Sequence, residues 1–260
     1  MSLETLGSWG DLDWTIIGPA LAAGLLVLST HVPLGQMVLK RGIIFIDLAV
    51  AQVAGLGVIA ASVFGWEDNR WIVQIAAVSA ALLAGISLHW TEKRWPNSQE
   101  ALIGTLFVLA ATGSILLLAE HPHSGEHLKD LLVGQILWTT WSALIPIALI
   151  YGVLFAVWLG LRERIHGVGF YVAFAFVVTA SVQIVGVYLV FASLIIPALS
   201  TRRLSGATRV FTGYLVGGLS YLAGIILSAV LDLPTGAVIV WTMAIISIAA
   251  GFLIARRVRA

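Results

Sequence analysis

The sequence contains no cysteine, and only 10% of its 260 residues are charged. Without cysteine there is no disulfide framework, no thiolate metal site and no thiol redox chemistry. The P-loop pattern G-x-x-x-x-G-K-[ST] is also missing, so the chain does not hold nucleotide phosphates in that way. No basic stripe supports nucleic-acid binding. These absences exclude a disulfide-stabilised secreted protein, a P-loop ATPase and a nucleic-acid-binding protein.

What the sequence does contain is apolar residues, at 60% of the chain with a mean hydropathy of +1.01. Segments of about 20 apolar residues, the length that crosses a hydrocarbon core, recur with short polar connections. We therefore predict an all-α, polytopic integral membrane bundle that forms a single transmembrane domain over residues 1–260. About eight hydrophobic segments are expected, over residues 14–31, 43–64, 71–90, 99–119, 138–161, 169–200, 207–231 and 235–255.

The distribution of lysine and arginine predicts how these segments are oriented, because cytoplasmic loops carry most of the positive charge. The C-terminus is expected in the cytoplasm, together with the basic clusters at 40–41, 93–94, 162–164 and 202–209. Segment 169–200 begins and ends beside such clusters and is too long for one simple span. We expect a break near Gly186, with either two short crossings or a span followed by a re-entrant return.

Asp47 is the one acidic residue well inside a hydrophobic segment. A carboxylate at that depth costs about 3 kcal/mol on insertion scales unless it faces a wet cavity or a partner. The sequence therefore indicates a pathway residue, with Gln52, Gln183 and Asp232 as further candidates. Alternatives remain open: Asp47 in a helix-packing hydrogen bond or hydrated near Arg41, the glutamines bridging helices, and Asp232 starting a turn.

The loop 120–130, EHPHSGEHLKD, has the densest set of metal-binding residue types. Imidazole and carboxylate groups suit Zn²⁺ and similar ions, and the predicted topology places the loop outside the cell. The alternative is a solvated polar loop with incidental histidines. We expect metal capture by His121, His123, Glu126 and His127, with Glu120 and Asp130 beside them.

Two stretches of the C-terminal third, VVTASVQIVGVYLVFASLIIPALSTRRL (177–204) and GIILSAVLDLPTGAVIV (224–240), resemble the signature regions of the ABC-3 family. Upstream, EALIGTLFVLAATGSILLLAE (100–120) and DLLVGQIL (130–137) resemble another region of the same family. Its members are the membrane permeases of zinc, manganese and iron uptake systems. The resemblance covers nearly the whole chain.

The sequence departs from the family pattern in two places. The family's second helix commonly reads F-I-G-D-A-L-S-H-A-V-L-P-G, whereas this chain reads FIDLAVAQVAGLG over 45–57. The family's aspartate and histidine therefore fall on Leu48 and Gln52, and Asp47 takes the place of a glycine. The segment that contacts the ATPase in the family is here only RERIHGVG, over 162–169.

The resemblance implies the permease subunit of an ABC importer for a divalent metal ion, most of all zinc, with no permanently bound cofactor. It implies four partners: a separate ABC ATPase, a periplasmic or extracellular solute-binding protein, a second copy of the chain, and the lipid bilayer. The expected location is the bacterial cytoplasmic (inner) membrane, with several crossings.

Three other functions compete with this interpretation. A secondary transporter coupled to ions or protons would need more intramembrane acids and half-related repeats, and neither is apparent. An intramembrane serine hydrolase could use Ser220 in the sequence Gly218-Leu219-Ser220, but it needs a later histidine, and the last one is His166. A metalloprotease would need H-E-x-x-H, which the sequence lacks.

Overall fold

The computed structural model describes residues 14–66, 68–119, 132–161 and 167–259. Within these ranges the chain forms α-helices, two short 3₁₀ turns (Pro96–Ser98 and Ile136–Trp138) and no strand, which confirms the predicted all-α class. Seven of the helices are long and apolar enough to cross a membrane. The helices are α1 (Trp14–Arg41), α2 (Ile46–Val63), α3 (Arg70–Arg94), α4 (Gln99–Leu118), α5 (Trp141–Leu161), α6 (Val168–Ser200), α7 (Gly206–Leu231) and α8 (Thr235–Arg259).

The first helix is longer than its hydrophobic segment predicted, because it continues through Pro33 to Arg41. Proline has no amide hydrogen, so Pro33 leaves the carbonyl of Ser29 without its usual partner four residues on. The hydroxyl of Tyr214 in α7 donates to that carbonyl at 2.8 Å. A neighbouring helix thus supplies the missing hydrogen bond, which is how membrane helices tolerate proline.

Helix α6 is broken at Gly186, as the sequence predicted. Gly186 has φ 78° and ψ 164°, a conformation that only glycine adopts without strain. The break is buried in protein: a Cβ on Gly186 would lie 2.6 Å from the carbonyl carbon of Val133, beside the left-handed Gly134. Irregular backbone at membrane depth requires such burial. The number of crossings within 169–200 stays a prediction.

The backbone contacts divide the described residues into two compact units. The first unit contains the residues up to Lys40, Val133–Leu149 and the residues from Ile184 onward. The second unit contains the described residues from Arg41 to Leu132 and Ile150–Gln183.

In the first unit, α1 packs against α7 through glycines spaced four apart. Added Cβ atoms would meet Val32 at 2.8 Å from Gly213 and Leu28 at 2.6 Å from Gly217. Small residues at this spacing let two membrane helices approach closely. Farther along α7, Gly224 would meet the backbone of Ile239 in α8 at 2.7 Å. Glycine therefore sets the helix contacts of this unit.

In the second unit, α2 is the central helix and contacts both α3 and α4. A Cβ on Gly57 would lie 2.8 Å from the carbonyl oxygen of Ala76 in α3. On another face, Leu56 lies beside Gly113 of α4. The connection into α2 is held from α4 as well, because the amide of Ile44 donates to Glu100 Oε1 at 2.7 Å. This bond positions the first turn of α2, where Asp47 lies.

Candidate functional site

Asp47 is completely buried in the first turn of α2. Neither carboxylate oxygen has a hydrogen-bond partner among the described residues. The positive end of the helix dipole favours a carboxylate there by about 0.3–1 kcal/mol. That is well below the roughly 3 kcal/mol that a charge at membrane depth costs. The protein around Asp47 therefore does not compensate for burying it, whereas a cation would.

Asp47 lies on a different face of α2 from the two residues that contact α3 and α4. At about 100° per residue, Asp47 lies roughly 80° around the helix from Gly57, which meets α3. It lies about 180° from Leu56, which meets α4. A helix-packing hydrogen bond, the structural alternative for Asp47, is not present among the described residues.

Gln52 is the second buried polar side chain on this helix, at 1% exposed, and its Oε1 atom has no described partner. It lies five residues after Asp47, about 7.5 Å farther along the axis. A glutamine that bridged two helices through Oε1 would accept a hydrogen bond at that atom. The helix therefore carries two unpaired side-chain oxygen ligands, which are about 140° apart around the axis and lie on different faces.

The other two predicted pathway residues have different surroundings. Gln183 is exposed in the chain. Asp232 is also exposed, and it ends α7 in the left-handed conformation, with its amide donating to the carbonyl of Ser228. The hydroxyl of Ser228 bonds to Leu233 O and Thr235 Oγ1, both at 2.6 Å. This geometry supports the turn interpretation of Asp232, and a pathway role for Gln183 stays a prediction.

The predicted metal-capture loop, with His121, His123, Glu126 and His127, lies outside the described residues. Among the described residues there is no group of three or more histidine, cysteine, aspartate and glutamate side chains that could hold a metal ion. The capture site stays a sequence-based prediction.

Among the buried polar groups that sequence reasoning missed is His31 in α1, which is 0% exposed. Its Nδ1 atom lies 2.9 Å from the carbonyl oxygen of Val27, and its Nε2 atom has no described partner. The signal was available, because a titratable residue inside a membrane span is a functional candidate by default.

The sequence matches the ABC 3 transport family over residues 13–177 and 155–254. The chain belongs to this family. The match confirms the predicted resemblance and makes the chain a multi-pass membrane subunit of an ABC transporter rather than an enzyme. ATP hydrolysis belongs to a separate subunit, in agreement with the missing P-loop.

Two curated relatives come from Haemophilus influenzae (strain ATCC 51907 / DSM 11121 / KW20 / Rd). The "High-affinity zinc uptake system membrane protein ZnuB" is 24% identical over 242 residues, which cover 85% of this chain and 91% of the relative. The "Probable iron transport system membrane protein" is 24% identical over 187 residues, covering 64% and 66%. The solved structure of PsaBC from Streptococcus pneumoniae in complex with Fab has a TM-score of 0.72 at 19% identity, covering 96% of this chain and 95% of that chain. The last similarity shows the fold.

Proposed function

We propose that this ABC 3 permease imports a divalent metal ion, with zinc as its preferred substrate. The observation that carries the proposal is the completely buried Asp47 carboxylate, whose two oxygens have no described partner. A passing cation would offset the cost of burying that charge. The similarity to a zinc uptake membrane protein over 91% of that relative supports the choice of metal.

Asp47 and Gln52 would act as two separate sites at different depths of the membrane. The carboxylate is a charged oxygen ligand, and the amide oxygen, about 7.5 Å farther along the axis and about 140° around the helix, is a weaker neutral one. Conduction requires sites that bind strongly enough for entry and weakly enough for release. A charged oxygen ligand and a neutral oxygen ligand at different depths meet that requirement, because the ion loses only part of its hydration shell at each site.

The proposal requires three protein partners and one orientation. A separate ATPase would bind on the cytoplasmic side, a solute-binding protein would deliver the metal outside, and a second copy would complete the pathway. The exposed Arg202 and Arg203 after α6, and Arg256 near the end of α8, would lie in the cytoplasm under the positive-inside rule. The C-terminus would be cytoplasmic, and the membrane would be the bacterial inner membrane.

Reconstitution tests this function. Purified alone, the chain should show no ATPase activity, and with its ATPase it should form a 2:2 assembly. In proteoliposomes that also receive the binding protein, zinc should accumulate only when ATP is present on the ATPase side. Robust nucleotide hydrolysis by the isolated chain would contradict the assignment as a permease. Zinc uptake driven by an ion gradient without ATP would instead establish a secondary transporter.

A further inference from the structure

His31 lies on the face of α1 that packs against other helices of the first unit. Residues 24, 28, 31 and 35 follow one another at spacings of four, three and four, so they share one face of the helix. Gly24 contacts Tyr221 of α7, Leu28 contacts Gly217 of α7, and Gly35 contacts the backbone of Leu194 in α6. The imidazole, at 0% exposed, is therefore directed into protein and away from lipid.

The hydrogen bonds of the ring determine which nitrogen carries the proton. His31 Nδ1 lies 2.9 Å from the carbonyl oxygen of Val27, and a carbonyl can only accept. Nδ1 therefore carries the hydrogen, and the Thr30 hydroxyl at 3.2 Å is a second neighbour of the same atom. In the neutral ring, Nε2 is then left with a bare lone pair.

This tautomer is the one that histidine adopts as a metal ligand. Ligating histidines donate one ring N–H to a carbonyl or carboxylate, which orients the ring and raises the basicity of the other nitrogen. His31 Nε2 is buried and has no hydrogen-bond partner among the described residues. What marks His31 is the combination of a ring oriented through Nδ1 and a free Nε2 atom, since buried polar atoms are normally paired. Buried His89 differs, because neither of its ring nitrogens has a described hydrogen bond that would orient the ring.

The backbone that carries the ring is held on both sides. Tyr214 completes the hydrogen bonding at Ser29, two residues before His31. Gly35, four residues after it, is packed against the Leu194 carbonyl of α6. On α6 and α7, the hydroxyls of Ser193 and Tyr221 bond to each other at 2.8 Å. His31 is thus presented from a fixed stretch of helix, as a selective ligand requires.

We propose that His31 is a transient Nε2 ligand for the transported metal and that it makes the permease prefer zinc over manganese. This inference rests on the proposed function and adds the basis of its selectivity. Asp47 and Gln52 offer only oxygen atoms, which suit manganese, magnesium and calcium. Imidazole nitrogen suits zinc and other borderline metals. Without His31 the buried donors named above would contain no group that favours zinc.

The test is competitive uptake of radioactive zinc and manganese by the reconstituted complex of permease, ATPase and binding protein. His31→Asn keeps an amide donor near the position of Nδ1 and removes the Nε2 lone pair. We expect its zinc-to-manganese uptake ratio to fall about tenfold or more, the scale on which changes at a metal site lower affinity. His31→Gln places an amide oxygen or nitrogen near Nε2 and should give an intermediate ratio.

His89→Asn is the matched control, because it makes the same substitution at another buried histidine. His89 is 6% exposed in the second unit, and both its ring nitrogens also lack a hydrogen-bond partner among the described residues. No carbonyl orients its ring in the way that Val27 orients the ring of His31. The zinc-to-manganese uptake ratio of His89→Asn should equal that of the wild type. Each ratio is measured on complexes with wild-type assembly and basal ATPase activity, and if His31→Asn does not assemble, His31→Gln decides the question.

Two results would overturn the inference and can be told apart. A wild-type ratio in the assembled His31 variant would overturn the ligand role and leave the proposed function intact. A wild-type complex that moves no divalent metal at the expense of ATP would overturn the proposed function and this inference together.

Discussion

Asp47 and Asp232 carry the same side chain, and the sequence marks both as pathway candidates, yet the structure gives them opposite surroundings. Asp47 is completely buried near the start of a helix, with two unpaired oxygens. Asp232 is exposed at the end of a helix, in a left-handed conformation that suits a turn. Burying the Asp47 carboxylate costs free energy that the described residues do not offset. The position of Asp232 is accounted for by local backbone geometry.

The comparison shows which property separates the two aspartates. Proximity to a hydrophobic segment does not, because both aspartates have it. Burial together with unpaired polar atoms does, because such atoms cost about 1–3 kcal/mol or more each unless a function requires them. By this criterion Gln52 resembles Asp47, whereas the exposed Gln183 resembles Asp232.

The largest expected effect is that of Asp47→Asn. Replacing a ligand worth only about 1.4 kcal/mol changes binding tenfold, so zinc uptake per folded complex should fall at least about tenfold. Thermal stability should stay the same or rise, because the variant removes a buried charge that has no described partner. Uptake in proteoliposomes and the Tm of the complex are the two measurements. A lower Tm with normal uptake per folded complex would assign Asp47 a structural role.

An intermediate effect is expected for Gln52→Ala. A neutral oxygen contributes less than a charged one, about 0.5–1.5 kcal/mol, so uptake should fall roughly two- to tenfold. Gln183→Ala is the matched control, since the same side chain is exposed there. The two variants are compared by their initial rates of zinc uptake over a range of zinc concentrations. Equal losses in both variants would break the link between burial and function.

A smaller effect, dependent on zinc concentration, is expected for the loop 120–130, where the sequence predicts metal capture. Replacing His121, His123 and His127 together by Ala should lower uptake at limiting zinc and leave uptake at saturating zinc near the wild-type value. Capture ligands raise the local supply of metal and do not line the intramembrane route. Expression and dimerisation should be unchanged. Wild-type uptake at every zinc concentration would show that the loop is a solvated connection with incidental histidines.

The smallest effect is expected for Asp232→Gly. Glycine adopts the left-handed conformation freely, which removes a strain of roughly 1 kcal/mol and should raise the Tm slightly. Uptake should be unchanged. Asp68→Gly is the control, because Asp68 is exposed but has no positive φ. A loss of uptake in Asp232→Gly alone would restore Asp232 to the pathway and break the comparison.

Much of the fold could be predicted from hydropathy, because a membrane span must be long, apolar and internally hydrogen-bonded. The break at Gly186 followed from the excess length of its segment. The extension of α1 beyond residue 31 was not predicted, since proline removes a helical hydrogen bond and the Tyr214 hydroxyl that binds the freed carbonyl is far along the sequence. Such compensation by a distant residue cannot be read from local sequence.

The sequence predicted the buried carboxylate of Asp47 but not the buried imidazole of His31. Asp47 is conspicuous because one charge stands in an apolar run. His31 is less conspicuous, and its interest depends on a tautomer set by the Val27 carbonyl, which only coordinates reveal. Burial likewise separated Gln52 from Gln183, since an isolated glutamine reads alike in both segments.

The most direct test of the central claim is whether position 47 lines a hydrated path that zinc enters. The chain has no cysteine, so Asp47→Cys introduces its only thiol, and Asp232→Cys does the same at the exposed turn. A charged, membrane-impermeant thiol reagent reacts with thiolates that water can reach. We predict that both thiols react in the assembled complex and that zinc slows the reaction at position 47 but not at position 232. A thiol at position 47 that stays unreactive, or that reacts at the same rate with and without zinc, would contradict the account.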